Sequence, residues 1–456
     1  MAVPLKAHII GAGMAGLSAA VELTRAGFAV DVADSAAQAG GRCRSYHDPQ
    51  LGRVIDNGNH LVLAGNDAVM AYLGTIGARD RLSGPPHADF EFVDIGGLYR
   101  PPRHSRESGN LSRSKDEDAE GERGVPAFAG MTGGGSEALP FSRWTFRPND
   151  GVVPWWLFSK QRRVPGAGPL AHLALGKLLV GGKADTVADR IATGGVLWDR
   201  LLEPVLLSAL NTDPREGSAS LAAAVVRGSL ARGGLATRPR IAEPTLAAAF
   251  VDPALDWLRS RGSDVTTGKR LRALVFDGDR VTALDFGDGP QPVTGPVVLA
   301  VPPWVAEALV PDLTVPNDFR AIVNAHFAFA PPPGTPAMIG VIGGTTEWVF
   351  AFEDRLSITV SGADRLVDTD RAELAALFWT EICAVHDIDA PLPAWQIVKE
   401  KRATFAATPE QDARRPGAAT RWRNLFLAGD WTQTGLPATI EGAIRSGVTA
   451  ARLAGR

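Results

Sequence analysis

Cysteine is scarce in this 456-residue chain: there are two, Cys43 and Cys383, far apart. Two such thiols build no disulfide framework and no Cys-x-x-Cys metal site, and their scarcity fits a reducing cytoplasm. No stretch reaches the roughly 18 apolar residues that a membrane-spanning helix needs. The N-terminus lacks the basic region, apolar run and small-residue cleavage site of a signal peptide and enters a strand pattern at Lys6-Ala-His-Ile-Ile10. Neither sign of charge predominates, since 47 Lys and Arg stand against 50 Asp and Glu. With no basic stripe interleaved with aromatics, nucleic acid is excluded as a partner. A His/Cys/Asp/Glu cluster at metal-ligand spacing is missing too, as are a Ser–His–Asp pattern and a second glycine-rich fingerprint.

What is present describes a soluble enzyme, or one seated on a membrane surface. The length predicts two or three folding units, and 45 % hydrophobic with 21 % charged residues is ordinary for a globular chain. Residues 6–34 read as strand, turn, helix and strand, with Gly27 as the helix stop. The helix opens on Gly11-x-Gly13-x-x-Gly16. Gly11 permits the tight turn, Gly13 lets the backbone approach a pyrophosphate, and Gly16, beside Ala15, lets helix and strand pack closely. Phosphates are drawn to the unpaired N–H groups of such a helix start. Asp34, 18 residues after Gly16, ends the second strand where an acid accepts hydrogen bonds from a ribose. These features do not separate NAD from FAD.

The segment Gly40-Gly41-Arg42-x-Arg44-Ser45 does separate them. It resembles the FAD signature shared by amine oxidases and carotenoid desaturases. Its glycines allow close backbone passage, and Arg42 and Arg44 bring cations to the phosphates and flavin edge. Near the other end of the chain, Leu427-Ala-Gly429-Asp430 closes a strand and leads into a helix from Ala438 to Ala454. Asp430 is placed to bond a ribityl chain. The helix start at Thr439 and Ile440 would aim N–H groups at a flavin ring. The fold class expected is α/β: a Rossmann-like, glutathione-reductase-type FAD-binding domain with an α+β substrate domain inserted. We assign residues 1–80, 236–310 and 395–456 to the first, and 81–235 and 311–394 to the second. Residues 98–138, rich in Arg, Ser, Glu, Asp and Gly, read as a disordered insertion. Residues 152–235 read as mostly helical. The apolar piece PLAHLALGKLLVGG within them is expected as buried core, in preference to a helix dipping into a membrane.

Several longer runs resemble one family. They are Val54-Ile-Asp-Asn57-Gly58-Asn59-His60, Ala209-Leu-Asn-Thr212, Ala300-Val-Pro-Pro-Trp304, Lys399-Glu-Lys-Arg-Ala-Thr-Phe405, and Leu427-Ala-Gly-Asp-Trp-Thr-x-Thr-Gly-Leu-Pro-Ala-Thr-Ile-Glu-Gly-Ala443. Together they are similar to the bacterial squalene-associated FAD-dependent desaturases, whose members act as hydroxysqualene dehydroxylases. Asn59 departs from that pattern, which has Gln, and Asp34 replaces the commoner Glu. The resemblance implies FAD as cofactor, with Asn57 and Gly58 beside it. It implies hydroxysqualene, a long polyisoprenoid, as substrate. The reaction implied is reduction to squalene by hydride from reduced flavin, in squalene and hopanoid biosynthesis. An external electron donor and transient contact with the inner face of a membrane go with it. His60 is the first candidate proton donor to the departing hydroxyl, because imidazole titrates near neutrality. Glu441 is the second, although a first-turn acid is also favoured by the helix dipole alone. An oxidative polyprenoid desaturase and a non-catalytic prenyl-lipid escort are the alternatives on the same fold.

Overall fold

Short apolar strands that are buried on both faces set up the first layer. In Lys6–Ile10, for example, Ala7, Ile9 and Ile10 are all buried. The structure, a computed structural model, describes residues 5–99 and 141–456, so the 98–138 segment lies almost wholly outside the described residues. Five parallel strands form one sheet in the order Asp264–Thr266, Ala29–Ala33, Lys6–Ile10, Val297–Leu299, Leu425–Leu427. The strand order reverses beside Lys6–Ile10. Loops leaving the carboxyl ends on either side of that point part to form a crevice, which is where open α/β sheets bind ligands.

Two helices from opposite ends of the chain pack over this sheet. Met14–Arg25 lies against Ile440–Ala454. The approach is close because Gly447 has no side chain. A Cβ there would stand 2.1 Å from the carbonyl oxygen of Ala15 and 2.1 Å from Ser18 Oγ. Ser18 Oγ crosses the contact, donating within 3.0 Å of the Ala15 carbonyl and 3.2 Å of the Ile444 carbonyl.

The second layer is a seven-stranded mixed sheet in the order Trp395–Phe405, Phe319–Phe327, Leu356–Val360, Trp348–Ala351, Met338–Ile342, Phe90–Asp94, Ser142–Phe146. One face buries Val349, Ile358 and Val360 against Leu374 and Phe378 of the helix Arg371–His386. That helix starts where the Asp370 carboxylate accepts the Ala372 and Glu373 N–H groups. The opposite face looks toward the crevice. Trp395–Phe405, counted from sequence with the FAD-binding part, is corrected here. It pairs antiparallel with Phe319–Phe327 and is an edge of the seven-stranded sheet.

Residues 152–235 are built of short helical pieces, as expected. The burial expected of PLAHLALGKLLVGG is not found. The helices Pro169–His172 and Ala174–Leu178 bury His172 and Leu178, but leave Leu170 80 % and Leu173 58 % exposed. Composition had suggested core, yet helices this short have one inward face, and nothing among the described residues covers the other.

Adding one methyl group at two glycines should have opposite effects. Gly447→Ala forces a Cβ into backbone that cannot retreat. It should lower stability by about 1–3 kcal/mol, read as a lower thermal midpoint. Gly176→Ala, in a helix with open space around the position, should raise stability by about 0.5–1 kcal/mol. Equal midpoints for both variants would refute the packing account.

Candidate functional site

The crevice is floored by bare backbone. Gly11 has φ +107, and a Cβ on it would meet the Ala300 carbonyl oxygen at 2.2 Å. A Cβ at Gly16 would stand 1.8 Å from the Gly11 carbonyl oxygen, so the turn closes on itself only with glycine at both positions. Gly13 begins the helix Met14–Arg25 with no side-chain cap and bridges to Gly40. Its ideal Cβ position is 4.0 Å from the Gly41 Cα, so the two glycine runs line one passage. Ala15 is buried one turn further in. Asp34 holds the turn from outside: its Oδ2 accepts the Ala12 N–H at 2.6 Å and its Oδ1 the Ala36 N–H at 2.7 Å.

Arg42 is the centre of the site. Its Nη2 donates to Asp430 Oδ1 at 2.7 Å, and its Nη1 donates to the Ala403 carbonyl. Of its side-chain surface 44 % is accessible, so Arg42 lines the crevice. Enclosure opposes its charge, and the Asp430 carboxylate more than restores it, leaving its pKa raised. Arg44 folds back, its Nη1 donating to the Gly41 carbonyl at 3.0 Å.

Gly429 and Asp430 are placed by side chains beneath them. A Cβ at Gly429 would collide with the Trp431 indole, whose Nε1 donates to the Val301 carbonyl at 2.9 Å. The Gly429 N–H donates to Ser446 Oγ. Arg415, buried and marked by no motif, donates to the carbonyls of Thr432 and Asp430 and to Thr434 Oγ1, and pairs with Asp412. Thr439 caps the last helix, its Oγ1 accepting the Gly442 N–H at 3.0 Å, and Ile440 is the first helical residue.

Asn57, Gly58, Asn59 and His60 run between these elements and the seven-stranded sheet. Asn57 Nδ2 reaches Glu400 Oε2 at 3.4 Å. Gly58 passes so close to Asn324 that a Cβ would be 2.9 Å from its Nδ2. The Asn59 amide donates to the Ile358 carbonyl at 3.0 Å and to Thr359 Oγ1, while its backbone N–H points to Asn324 Oδ1. His326, fully buried, sets Nδ1 2.9 Å from Ser357 Oγ and Nε2 3.0 Å from the Asp56 carbonyl. Asn324 and His326 were not singled out from sequence. Both make contacts, with Asn59 and Asp56, that arrive from 265 and 270 residues away in sequence.

His60 itself is partly accessible and stands close enough to Arg42 to feel its charge. Burial, then the positive charge of Arg42, lowers its pKa to about 4. At neutral pH it is an uncharged imidazole with an N–H to donate. Glu441 is corrected as a candidate proton donor. Its two carboxylate oxygens accept the Ala68 and Val69 N–H groups at 3.2 and 2.9 Å, capping the helix Asp67–Ile76, and Oε1 also pairs with Arg445. A carboxylate committed to these donors is an acceptor that ties two helices together.

Burial of three histidines predicts acid sensitivity. Burial lowers the pKa of His60 and His386 to about 4 and that of His326 to about 3 in the folded chain, from the ordinary 6.5. Between those values the unfolded chain binds more protons, so this stabilisation is complete above pH 6.5 and lost as pH falls toward 3. Denaturant midpoints should fall across that window, and less steeply in His386→Asn. An acid limb of the same slope in that variant would exclude His386 as a contributor.

The model of the family described as flavin containing amine oxidoreductase matches residues 14–454. The chain is 51 % identical to a hydroxysqualene dehydroxylase from Rhodopseudomonas palustris (strain ATCC BAA-98 / CGA009), over 98 % of this chain and 97 % of that one. It is 44 % identical to a hydroxysqualene dehydroxylase from Zymomonas mobilis subsp. mobilis (strain ATCC 31821 / ZM4 / CP4), over 98 % of each. Among solved structures, an oxidoreductase from Methanosarcina mazei superposes with a TM-score of 0.67 at 14 % identity, covering 98 % of this chain and 100 % of that one, which shows the shared fold. With the family model spanning nearly the whole polypeptide and both glycine-lined ends meeting at one crevice, this chain belongs to the flavin containing amine oxidoreductase family.

Proposed function

We propose that this protein is an FAD-dependent hydroxysqualene dehydroxylase that converts hydroxysqualene to squalene in squalene and hopanoid biosynthesis. The observation that carries the reading is the identity of 44–51 % over nearly full length to three relatives of that name. The residues present fit the cofactor. Gly11, Gly13, Gly16 and Gly41 leave a side-chain-free passage beside an uncapped helix start, as a pyrophosphate requires. On this reading Asp34 contacts a ribose, and Arg42, Asp430, Thr439 and Ile440 contact the flavin half. The discontinuous parallel-sheet part serves as the cofactor domain, and the seven-stranded sheet with residues 152–235 as the substrate domain.

When bound and reduced, the flavin supplies the hydride that takes the place of the hydroxyl. The chain's own residues must assist hydroxide to leave and keep other water out. His60, neutral but with a free N–H, donates a hydrogen bond to the departing oxygen instead of acting as an imidazolium. The Asn59–Asn324–Thr359 cluster holds the loop that presents it. Burial of isoprenoid carbon against the apolar sheet face binds the rest, at about 0.8 kcal/mol per methylene-sized group.

The decisive assay is anaerobic. Adding hydroxysqualene to reduced holoprotein should re-oxidise the flavin as squalene forms. Flavin reduction by squalene or phytoene would favour a desaturase instead, and retained lipid with no spectral change would favour an escort. Arg42→Ala and Asp430→Asn should each purify with markedly less flavin and regain it only at raised FAD concentration. Full flavin content in both would remove the pair from the cofactor site. His60→Ala should lose about 10²-fold or more in turnover, and His60→Gln, which keeps an N–H, should lose less. Unchanged turnover in both variants at normal flavin content would dismiss His60.

A further inference from the structure

Large apolar side chains that stand exposed gather in one segment. Val152, Trp155, Phe158, Leu170, Leu173 and Val180 are all exposed, Trp155 by 68 % and Phe158 by 73 %. The turn Trp155–Phe158 and the helices Pro169–His172 and Ala174–Leu178, which carry or flank most of them, pack together. The Trp155 and Phe158 rings lie 6.3 Å apart. Trp156, beneath them, meets the His172 ring edge-on at 5.3 Å, joining the turn Trp155–Phe158 to the helix Pro169–His172. Within the segment, between the acids that flank it, charge has one sign. No acidic residue occurs between Asp150 and Asp185, whereas Lys160, Arg162, Arg163, Lys177 and Lys183 do. Of these, Lys160, Lys177 and Lys183 are exposed.

We propose that this face, residues 152–183, docks onto an anionic lipid bilayer, with the apolar side chains in the acyl boundary and the lysines at the headgroups. An aromatic and apolar surface with a basic rim is the combination that seats a protein in that interface. A symmetric pairing of two copies through this patch would set the basic rims against each other, which disfavours self-association. No helix among the described residues is long and apolar enough to cross a membrane, so the attachment is to one leaflet. The patch also connects inward. Trp156 packs on Phe146 at 5.0 Å, and Phe146 is paired with Phe90. From this end of the sheet, one rung runs Trp144, Phe92, Gly340, Trp348, Thr359, Asn324, each opposite the next. Asn324 is the residue that clamps the loop carrying His60. The bilayer face therefore lies at the outer end of an aromatic row that leads to the crevice. Docking itself does not rest on the dehydroxylase reading.

The test is co-sedimentation of the full flavin-loaded chain with phosphatidylcholine vesicles and with phosphatidylcholine–phosphatidylglycerol vesicles. Binding should favour the second and weaken as salt is raised. Trp155→Ser with Phe158→Ser should lower partitioning by roughly tenfold or more. Lys160→Glu with Lys177→Glu should lower it by about fivefold or more on anionic vesicles only. Leu170→Gln with Leu173→Gln on the adjoining helices gives an independent variant, and all can be checked for native flavin absorbance. No sedimentation with either vesicle overturns the proposal, as does binding that all three variants leave intact. A dimer lost in the Trp155/Phe158 variant, without vesicle binding, assigns the patch to a second copy instead. Because sedimentation needs no turnover, failure of the dehydroxylase reading would leave this result standing.

Discussion

The arrangement depends on one guanidinium. Arg42 binds the carbonyl of Ala403, 361 residues away in sequence, and the carboxylate of Asp430, 388 residues away. Without it, the glycine turn near the N-terminus, the edge strand of the seven-stranded sheet and the strand end near the C-terminus share no polar centre. Its charge-assisted and carbonyl hydrogen bonds hold those three segments in one geometry. Arg415 secures the same geometry from below. By accepting its donors, the carbonyls of Asp430 and Thr432 and the hydroxyl of Thr434 fix the loop, and the Asp430 carboxylate is left facing Arg42.

What could be read from sequence was local. Gly11, Gly13 and Gly16 sit in a turn whose geometry is set by its own residues and the next strand, so spacing reveals them. The hairpin Ala273–Asp277 with Arg280–Asp285 forms around Gly278, at φ +54, as Asp277-Gly278 announces.

What escaped was non-local, for physical reasons. Nothing near Gly447 says that Ala15 and Ser18 will press on it. Arg415 sits in a polar stretch with no periodicity, and its burial is decided by a loop folding over it. Glu441 was read as an acid at the start of its own helix, whereas its oxygens serve a different helix, Asp67–Ile76. PLAHLALGKLLVGG was read as core because an apolar helix has the same composition whether protein or lipid covers it. Trp155 shows the same ambiguity: it is exposed, while its neighbour Trp156 is buried.

The rung from Trp144 to Asn324 shows how the seven-stranded sheet supports the loop that carries His60. Directly opposite residues share a face of the sheet, so this face changes from aromatic to amide and hydroxyl along a single line. Gly340 makes the aromatic part continuous. Any Cβ there would lie 2.5 Å from the Phe92 ring, and its absence lets Phe92 and Trp348 meet at 5.7 Å. At the polar end the hydrogen bonds of Asn324, Thr359 and the Asn59 amide N–H groups are internal, and His326 is neutral and spoken for on both nitrogens. The Asn59 Oδ1 is the exception, buried without a partner among the described residues. Trp144, Phe92 and Trp348 are themselves buried, so the aromatic part of the row is packed core that backs the crevice. Removing one partner at the polar end would leave a buried group unmatched, at about 1–3 kcal/mol. The loop carrying His60 is thus held by the sheet's own pairing, before any single residue is asked to catalyse.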